Sequence, residues 1–263
     1  MSKDEVWYND IAGSLQFTRT ATNAETTYEV GRVVSDTIKS TVRSTGIGDW
    51  YITFDGSEAN SIKGIAILGM NTGTWVTLEA QGDDADFAGA PAATSNFTVR
   101  TRALYQYNAA SRKVEPATRY DAYIKEDWGY QDYRIKFNST AVSYYDIGRI
   151  YIFTESETCE SSSAPNVPAG ITTVSSIIDG EGGQRVKVPK FQQFSYNMQF
   201  RGINRTQVDY LEKVLPLNPS LVWAVDGIDG QLVFGSIEST VPQAAGKVFD
   251  NKVSMTCILT ESL

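Results

Sequence analysis

The 263-residue sequence contains no histidine. The commonest general base of enzymes is therefore missing, and with it the Ser-His-Asp and Cys-His catalytic arrangements. Zinc and iron sites that use imidazole ligands are excluded for the same reason. Carboxylates, lysine or tyrosine could still support catalysis, but no pair of acidic residues in the sequence stands out as a glycosidase pair. We expect a protein that is not an enzyme and that has no catalytic residues, cofactor or bound metal.

Cysteine and long apolar runs are also scarce. Cys159 and Cys257 are the two cysteines of the chain, which is too few for a disulfide framework. No run of apolar residues approaches the roughly 18 that a membrane span requires. The first five residues, MSKDE, lack the apolar core of a signal peptide. We therefore expect a chain that is made and folded in a cytoplasm and that does not span a membrane.

Positively charged residues are outnumbered by negatively charged ones. The chain has 23 lysines and arginines against 31 aspartates and glutamates, which gives a net charge of −8 at pH 7. Binding to the phosphates of a nucleic acid needs clustered basic side chains, so we do not expect a nucleic acid as the main partner. A net charge of this size favours solubility.

The clearest structural pattern is a pair of strand signals in the middle of the chain. In residues 133–137, YRIKF, apolar and charged side chains alternate, which is typical of a strand with one buried face. Residues 147–153, IGRIYIF, are almost all β-branched or aromatic, which predicts a strand buried on both faces with a bulge or a close backbone approach at Gly148. We expect these two strands to be neighbours that close one side of a β-sandwich.

Further strand patterns recur at close spacing from residue 41 onward. Residues 50–55 alternate apolar and polar side chains before an Asp-Gly turn, and residues 62–69 form another apolar run that ends at a glycine. A helical period is absent from this part of the sequence, so the pattern predicts an all-β sandwich or jelly roll. We assign residues 1–40 to an N-terminal arm and residues 41–153 to the sandwich.

The last third of the sequence has a different pattern. Residues 154–189 form a predicted linker, because serine, proline and glycine are frequent there. Residues 190–263 follow as a small α+β unit with a strand, one helix, a hairpin and a final strand. The helix is predicted from a capping box of Asn204 and Gln207 and from a stop at Pro216. Its apolar face consists of Val208, Leu211 and Leu215.

An acidic loop is the first candidate for ligand binding. Asp83, Asp84 and Asp86 offer oxygen atoms of the kind that calcium prefers. The sequence around them does not complete the EF-hand pattern. We expect a solvated acidic loop that holds no metal.

Three aromatic residues are the second candidate. Trp128 and Tyr130 lie beside a turn, and Trp75 begins another predicted strand. If such side chains are exposed together they can stack on a sugar ring, and if they are buried they belong to a core or an interface. Both alternatives stay open, and we favour a core or interface role for Trp128 and Tyr130.

Three stretches resemble known families. Residues 49–54, DWYITF, and residues 65–71, IAILGMN, resemble discoidin-like, galactose-binding-type jelly rolls. Residues 146–153, DIGRIYIF, together with the linker and the strand–helix–hairpin unit that follow, resemble tail-tip proteins of long-tailed bacteriophages, the distal tail proteins above all. The resemblance implies a mainly β protein in which a tail-tube-like α+β unit with one helix forms a ring and a discoidin-like β-sandwich decorates it.

The same resemblance implies a function. It predicts a structural virion protein of the phage tail tip, a homo-oligomeric ring expected to be a hexamer, which joins the tail tube to the receptor-binding or baseplate apparatus. Its partners would be other tail proteins, and its place the virion, after synthesis in the host cytoplasm. The alternative from another class is a carbohydrate-binding module that recognises a host glycan through Trp75, Trp128 or Tyr130. A carboxylate glycosidase and a head decoration protein are further alternatives.

Overall fold

The computed structural model describes the backbone of residues 4–34, 41–108, 113–159, 168–179, 185–204, 221–224, 232–244 and 252–261, and the side chains of residues 7–34, 41–101 and 118–156. These residues are mainly β, as predicted, and their strands pair antiparallel. No helix within the described residues has the length and hydropathy needed to cross a membrane.

The elements are numbered in chain order. The first part of the chain contains β1 (Asp4–Asp10), β2 (Phe17–Ala21), the short 3-10 helix η1 (Val30–Val34), β3 (Val42–Arg43), β4 (Trp50–Gly56), β5 (Asn60–Met70), β6 (Thr77–Asp83), β7 (Ala93–Asn96) and β8 (Thr98–Asn108). The second part contains β9 (Lys113–Tyr130), β10 (Asp132–Asn138), β11 (Asp146–Ile147), β12 (Arg149–Cys159), β13 (Pro168–Asp179), β14 (Arg185–Asn204), β15 (Leu221–Ala224), β16 (Leu232–Ala244) and β17 (Lys252–Glu261).

The chain divides into two compact units, and the division differs from the predicted domain boundaries. The sandwich unit contains Asn9–Arg102 and Thr118–Ser156, whereas the second unit contains Met1–Tyr8, Ala103–Ala117 and Glu157–Leu263. The predicted N-terminal arm is therefore largely part of the sandwich, where β2 pairs with β4. The sequence allows a strand near Phe17, but β2 is short and buries a single large apolar side chain, so its alternation signal is weak.

The sandwich unit is built from two main sheets. One has five strands in the order β2-β4-β10-β6-β7, and the strands β12-β5-β9-β8 form the other. The short strands β11 and β3 pair with each other and form a separate two-stranded sheet. Side chains of both main sheets belong to one buried apolar cluster, which is the core of a β-sandwich.

The core follows the alternation that the sequence shows. Along β4 every second residue is buried, beginning with Trp50. Along β10 the side chains of Tyr133, Ile135 and Phe137 are buried and those between them are half-buried, as predicted. Strands with this period expose one face of the sheet and bury the other, which is why the pattern was readable from the sequence.

The predicted strand at residues 147–153 is also present, but its position differs from the prediction in one respect. Residues 149–153 of β12 are buried on both faces, as expected. The strand lies in the opposite sheet from β10, paired with β5, so the expectation that these two strands are neighbours was wrong. An apolar pattern reports burial and does not specify a pairing partner. Gly148 does mark an interruption: it separates β11 from β12, and its N–H donates to the carbonyl of Leu68 at 2.9 Å.

The second unit is described at the level of its backbone. Its strands follow the order β13-β14-β17-β16-β15-β1. The predicted hairpin is confirmed as β15 and β16, and the predicted final strand is confirmed as β17. The predicted helix, with Gln207, Val208, Leu211, Leu215 and Pro216, lies outside the described residues.

The predicted linker at residues 154–189 is mostly strand where the structure describes it. It contains the end of β12, all of β13 and the beginning of β14, and β13 pairs with β14 from Ile178 opposite Val186 to Ile171 opposite Phe194. The frequent serine, proline and glycine residues suggested a linker. Residues 171–178, ITTVSSII, nevertheless carry enough β-branched side chains to favour a strand once a partner is present.

Candidate functional site

A groove with a volume of about 340 Å³ opens in the sandwich unit at the end of the five-stranded sheet where β7 is the outermost strand. Trp75 is one of its walls. The remaining lining residues come from the segment before β6, from β6 itself, and from the end of β7 through the start of β8; they are Gly73, Val76, Thr77, Leu78, Glu79, Asn96, Phe97 and Val99. The groove therefore contains one of the three aromatic residues predicted to contact a glycan.

The pairing of β6 with β7 brings the polar side chains of this groove next to each other. Glu79 on β6 lies opposite Asn96 on β7 in the antiparallel register, and the N–H of Phe97 donates to the carbonyl of Leu78 at 3.1 Å. Leu78 points into the core and is buried, whereas its neighbours Thr77 and Glu79 are half-buried. Successive side chains of a strand point to opposite faces, so the outward residues of β6 and the end of β7 meet at one surface.

Trp75 is held by other aromatic rings. Its ring centroid lies 5.7 Å from that of Phe137 and 5.5 Å from that of Tyr145, which in turn stacks on Trp50 at 5.8 Å. The indole Nε1 of Trp75 is buried and has no hydrogen-bond partner among the described residues. Aromatic contacts of this kind fix the orientation of a large side chain. Trp75 is therefore a fixed, half-buried wall of the groove.

The hydroxyl of Tyr145 connects the loops behind this wall. It accepts hydrogen bonds from the N–H of Ser139 at 2.8 Å and from the N–H of Gly48 at 3.1 Å. It also lies 2.9 Å from the carbonyl of Gly48 and 3.2 Å from that of Ser139, to which its own O–H can donate. Tyr145 is fully buried, so one side chain both packs against Trp75 and joins two loops.

The surface of the groove combines apolar and polar groups. Val76 is 67% exposed and extends the apolar surface of Trp75. Thr77, Glu79 and Asn96 add a hydroxyl, a carboxylate and an amide, which between them can donate and accept hydrogen bonds. A small concave site with an apolar wall and a few polar groups is typical of a ligand site. A sugar ring, with apolar C–H faces and polar hydroxyls, matches both kinds of surface.

Trp128 and Tyr130, the other two predicted residues, lie elsewhere. Tyr120 lies opposite Met70 on the β5–β9 pair, and its ring packs on Gly73 of the groove lining. Trp128 lies opposite Ile62 on the same pair. Eight residues of strand separate the two positions along β9, which corresponds to about 26 Å. The structure therefore does not bring Trp75 together with Trp128 and Tyr130.

Trp128 and Tyr130 have a structural role where they are. The two rings meet edge to face with 6.1 Å between their centroids, and both pack partly buried against the core. Tyr130 lies directly on Gly82, where a methyl group would overlap its ring. These contacts support the core interpretation that we favoured from the sequence.

The acidic loop is less solvated than predicted. Asp84 and Asp86 are exposed, but Asp83 is 7% exposed and its carboxylate accepts a hydrogen bond from the N–H of Phe87 at 2.8 Å. The prediction was wrong for Asp83 because this residue ends β6 and turns its side chain back to its own loop. Within the described residues no group of three His, Cys, Asp or Glu side chains could hold a metal ion.

Asp132 fixes the same loop from the neighbouring strand. Its two carboxylate oxygens each accept a backbone N–H at 3.1 Å, one from Gly56 and one from Asp86. Burial raises the pKa of Asp132, and the nearby carboxylates of Asp55 and Asp86 act in the same direction, while the two backbone hydrogen bonds oppose it. This carboxylate supports the loop from within the fold.

Sequence reasoning missed Glu79, Asn96 and Phe97 as groove residues. The alternation along β6 could have placed Glu79 on an outward face. No local signal connects Asn96 and Phe97 with Trp75, because only the pairing of β6 with β7 brings these segments together.

No protein-family model and no curated protein matches the sequence. In structure the chain is similar to a chitosan-binding module 1 derived from a chitosanase/glucanase of Paenibacillus sp. IK-5, with 11% identity and a TM-score of 0.39 over 56% of this chain and 98% of that one. It is similar to the family 32 CBM of C. perfringens NanJ in complex with galactose, with 13% identity and a TM-score of 0.38 over 57% and 98%. It is also similar to the lectin domain of lectinolysin complexed with Lewis B antigen, with 7% identity and a TM-score of 0.39 over 57% and 99%.

Proposed function

We propose that the sandwich unit is a carbohydrate-binding module that takes a sugar in the Trp75 groove. The observation that carries the proposal is the groove itself, in which a fixed indole and an exposed valine adjoin the hydroxyl, carboxylate and amide of Thr77, Glu79 and Asn96. Its volume of about 340 Å³ lies at the lower end of the range for small-molecule sites. The ligand class is therefore a monosaccharide or the end of a glycan chain.

The groove favours binding over hydrolysis of a glycan. Glycosidases of the common kind place two carboxyl groups about 5–9.5 Å apart across the scissile bond. Glu79 is the one carboxylate among the described residues that line this groove. A single carboxylate can accept hydrogen bonds from sugar hydroxyls, which gives specificity and needs no chemical step.

Titration calorimetry with neutral monosaccharides tests this proposal. Glu79→Gln removes the charge of the acceptor, and Asn96→Ala removes the carbonyl acceptor and the NH₂ donor of the amide. We expect each to weaken binding about tenfold, since a hydrogen bond to a charged or well-placed polar group contributes about 1–3 kcal/mol. Glu58→Gln is the matched control, because Glu58 is exposed and is not a lining residue of the groove. Unchanged affinity in both groove variants would contradict the proposal.

A structural role in a phage tail tip is the second candidate, and one observation favours it. The sheet of the second unit ends in β13, a strand of 12 residues that, among the described residues, pairs on one side only, with β14. A long edge strand invites pairing with another chain. Copies that pair this edge with a different surface of the next copy would close head to tail into a ring. The resemblance to distal tail proteins implies a hexamer.

The two functions are compatible, since a ring of second units would present several sandwich units to a host glycan. Light scattering coupled to size-exclusion chromatography tests the ring. A hexamer of the 29.0 kDa chain supports it, and a monomer at concentrations of about 100 μM, well above the Kd of a specific interface, contradicts it.

A further inference from the structure

Two arginine side chains converge on one carboxylate in the sandwich unit, away from the lining of the Trp75 groove. Arg43 on β3 places Nη2 3.4 Å from Oδ2 of Asp146, and Arg119 on β9 places Nη1 3.8 Å from the same oxygen. The guanidinium of Arg43 also lies 4.4 Å from the ring centroid of Tyr28 and 4.4 Å from that of Tyr144. We call these five residues the arginine cluster.

Among the side chains that the structure describes, the arginine cluster has more positive charge than its own carboxylate neutralises. Two guanidinium groups face one carboxylate, and Arg32 adds a third cation 5.8 Å from the Tyr28 ring. The side chains of Arg43 and Arg119 are 25% and 28% exposed, whereas that of Asp146 is 7% exposed. The carboxylate is therefore covered, while part of each arginine side chain reaches solvent. In a chain with a net charge of −8 this is a local concentration of positive charge.

The cluster also has unused hydrogen-bonding groups. A guanidinium carries five N–H donors, and the contact with Asp146 uses one nitrogen of Arg43. Among the described residues, the buried atoms Nε of Arg43 and Oδ1 of Asp146 have no hydrogen-bond partner. Oδ1 of Asp146 is an acceptor, so it would take a donor or a water and not an oxyanion. The remaining N–H groups of the two guanidinium groups are the donors that an oxyanion could use.

The rings of Tyr28 and Tyr144 restrict the orientation of the Arg43 guanidinium. Stacking on two aromatic rings restricts the plane of the guanidinium, so less freedom is lost when it binds a ligand. A planar guanidinium matches the two oxygen atoms of a carboxylate or sulfate, and such bonds are stronger than neutral ones. Tyr144 is 37% exposed and offers an apolar surface next to the charge.

We propose that Arg43 and Arg119 together bind one oxyanion, a carboxylate or sulfate carried by an acidic sugar. The oxyanion part of this proposal rests on the cluster alone, and the sugar part rests on the proposed function. The site differs from the Trp75 groove, which would take the neutral part of a glycan.

Calorimetry of the full chain with galacturonate, galactose 6-sulfate, galactose and inorganic sulfate tests the proposal. We expect the two acidic sugars to bind at least about tenfold more tightly than galactose in 50 mM salt, the ratio that 1.4 kcal/mol of charge-assisted bonding gives. The advantage should shrink at 500 mM salt, because salt screens partly exposed charges. A larger effect for galacturonate identifies a carboxylate ligand, and a larger effect for the sulfated sugar identifies a sulfate.

Arg119→Gln is the decisive variant. It should remove the preference for acidic sugars and the binding of inorganic sulfate, while binding of galactose and the melting temperature stay as in the wild type. If Arg119→Gln does not fold, Arg119→Lys keeps the charge and should retain part of the preference. Arg134→Gln is the matched control, since Arg134 also stacks on two rings, Tyr51 at 4.8 Å and Phe87 at 4.1 Å, outside the cluster.

Three results would overturn the inference. They are equal affinity of the wild type for acidic and neutral sugars, an unchanged preference in Arg119→Gln, and an equal loss of preference in Arg134→Gln. If no sugar of either kind binds, the proposed function fails, and inorganic sulfate then decides the anion site: saturable binding that Arg119→Gln abolishes supports it, and no binding refutes it.

Discussion

Replacing Tyr145 by phenylalanine tests the idea that one hydroxyl connects the loops behind the groove. The variant keeps the ring, and so keeps the stacking on Trp50 and Trp75. It removes the oxygen that accepts from the N–H groups of Ser139 and Gly48. Both donors then lose their partner inside the fold.

The expected cost follows from the burial of those two donors. The bond to Ser139 is buried, and leaving a buried donor unsatisfied costs about 1–3 kcal/mol. The bond to Gly48 is partly buried, so water can compensate in part and the cost is about 1 kcal/mol. We expect Tyr145→Phe to lower the free energy of unfolding by about 2–4 kcal/mol, which corresponds to a urea midpoint lower by about 1–2 M.

Urea unfolding followed by tryptophan fluorescence measures this, because Trp50 and Trp75 report on the core next to Tyr145. Tyr51→Phe is the matched control, since the Tyr51 hydroxyl is on the exposed side of its strand and lies 3.5 Å from Asp49. The free energy of unfolding of this control should stay within about 0.5 kcal/mol of the wild-type value. The reasoning is refuted if Tyr145→Phe also stays within that range.

Three further predictions concern stability and titration. Gly82→Ala should cost about 1–3 kcal/mol, because the added methyl group overlaps the Tyr130 ring in a packed site; calorimetric melting measures it, and an unchanged melting temperature contradicts it. Asp132→Asn should lower the free energy of unfolding, measured in urea, by about 1–3 kcal/mol, because one of the two oxygens that accept backbone N–H groups becomes a donor. An unchanged free energy of unfolding would contradict this and show that water replaces the lost bond. Burial raises the pKa of Tyr133 to about 12, so the folded chain keeps a proton there that the unfolded chain loses near pH 10, and stability contributed by this group falls between pH 10 and 12. Tyr133→Phe should reduce the decline of the urea midpoint over that pH window, and an identical decline in variant and wild type would refute the assignment.

The inner faces of the sandwich could be predicted because each has a local signal. One residue in two is buried along β4 and β10, and the side chains alternate accordingly. The continuous apolar run of β12 likewise signals burial on both faces. Each signal lies within a single strand and needs no knowledge of its partner.

Pairing partners could not be predicted in the same way. Residues 133–137 and 147–153 looked like neighbours because they are close in sequence, yet β10 pairs with β4 and β6 while β12 pairs with β5. Apolar patterns with the same period fit several partners equally well, and the choice depends on packing across the whole sandwich. Within the predicted linker a short strand at residues 174–178 could be read from the sequence, whereas the full length of β13 follows from its pairing with β14.

The candidate sites depend on contacts that are distant in sequence. Trp75 could be proposed from its residue type, but Asn96 joins it only through the pairing of β6 and β7. Arg43 and Asp146 meet across 103 residues because β3 pairs with β11. Neither contact is marked by a motif or a residue spacing that could be recognised in a single sequence.

An NMR titration of the ¹⁵N-labelled chain with neutral monosaccharides tests the central claim most directly. A sugar in the Trp75 groove should shift the backbone amides of Thr77, Glu79, Asn96 and Phe97, with a common dissociation constant and with the other amides of the sandwich unit unchanged. Shifts centred instead on the amides around Trp128, or no saturable shifts with any sugar, would contradict the account.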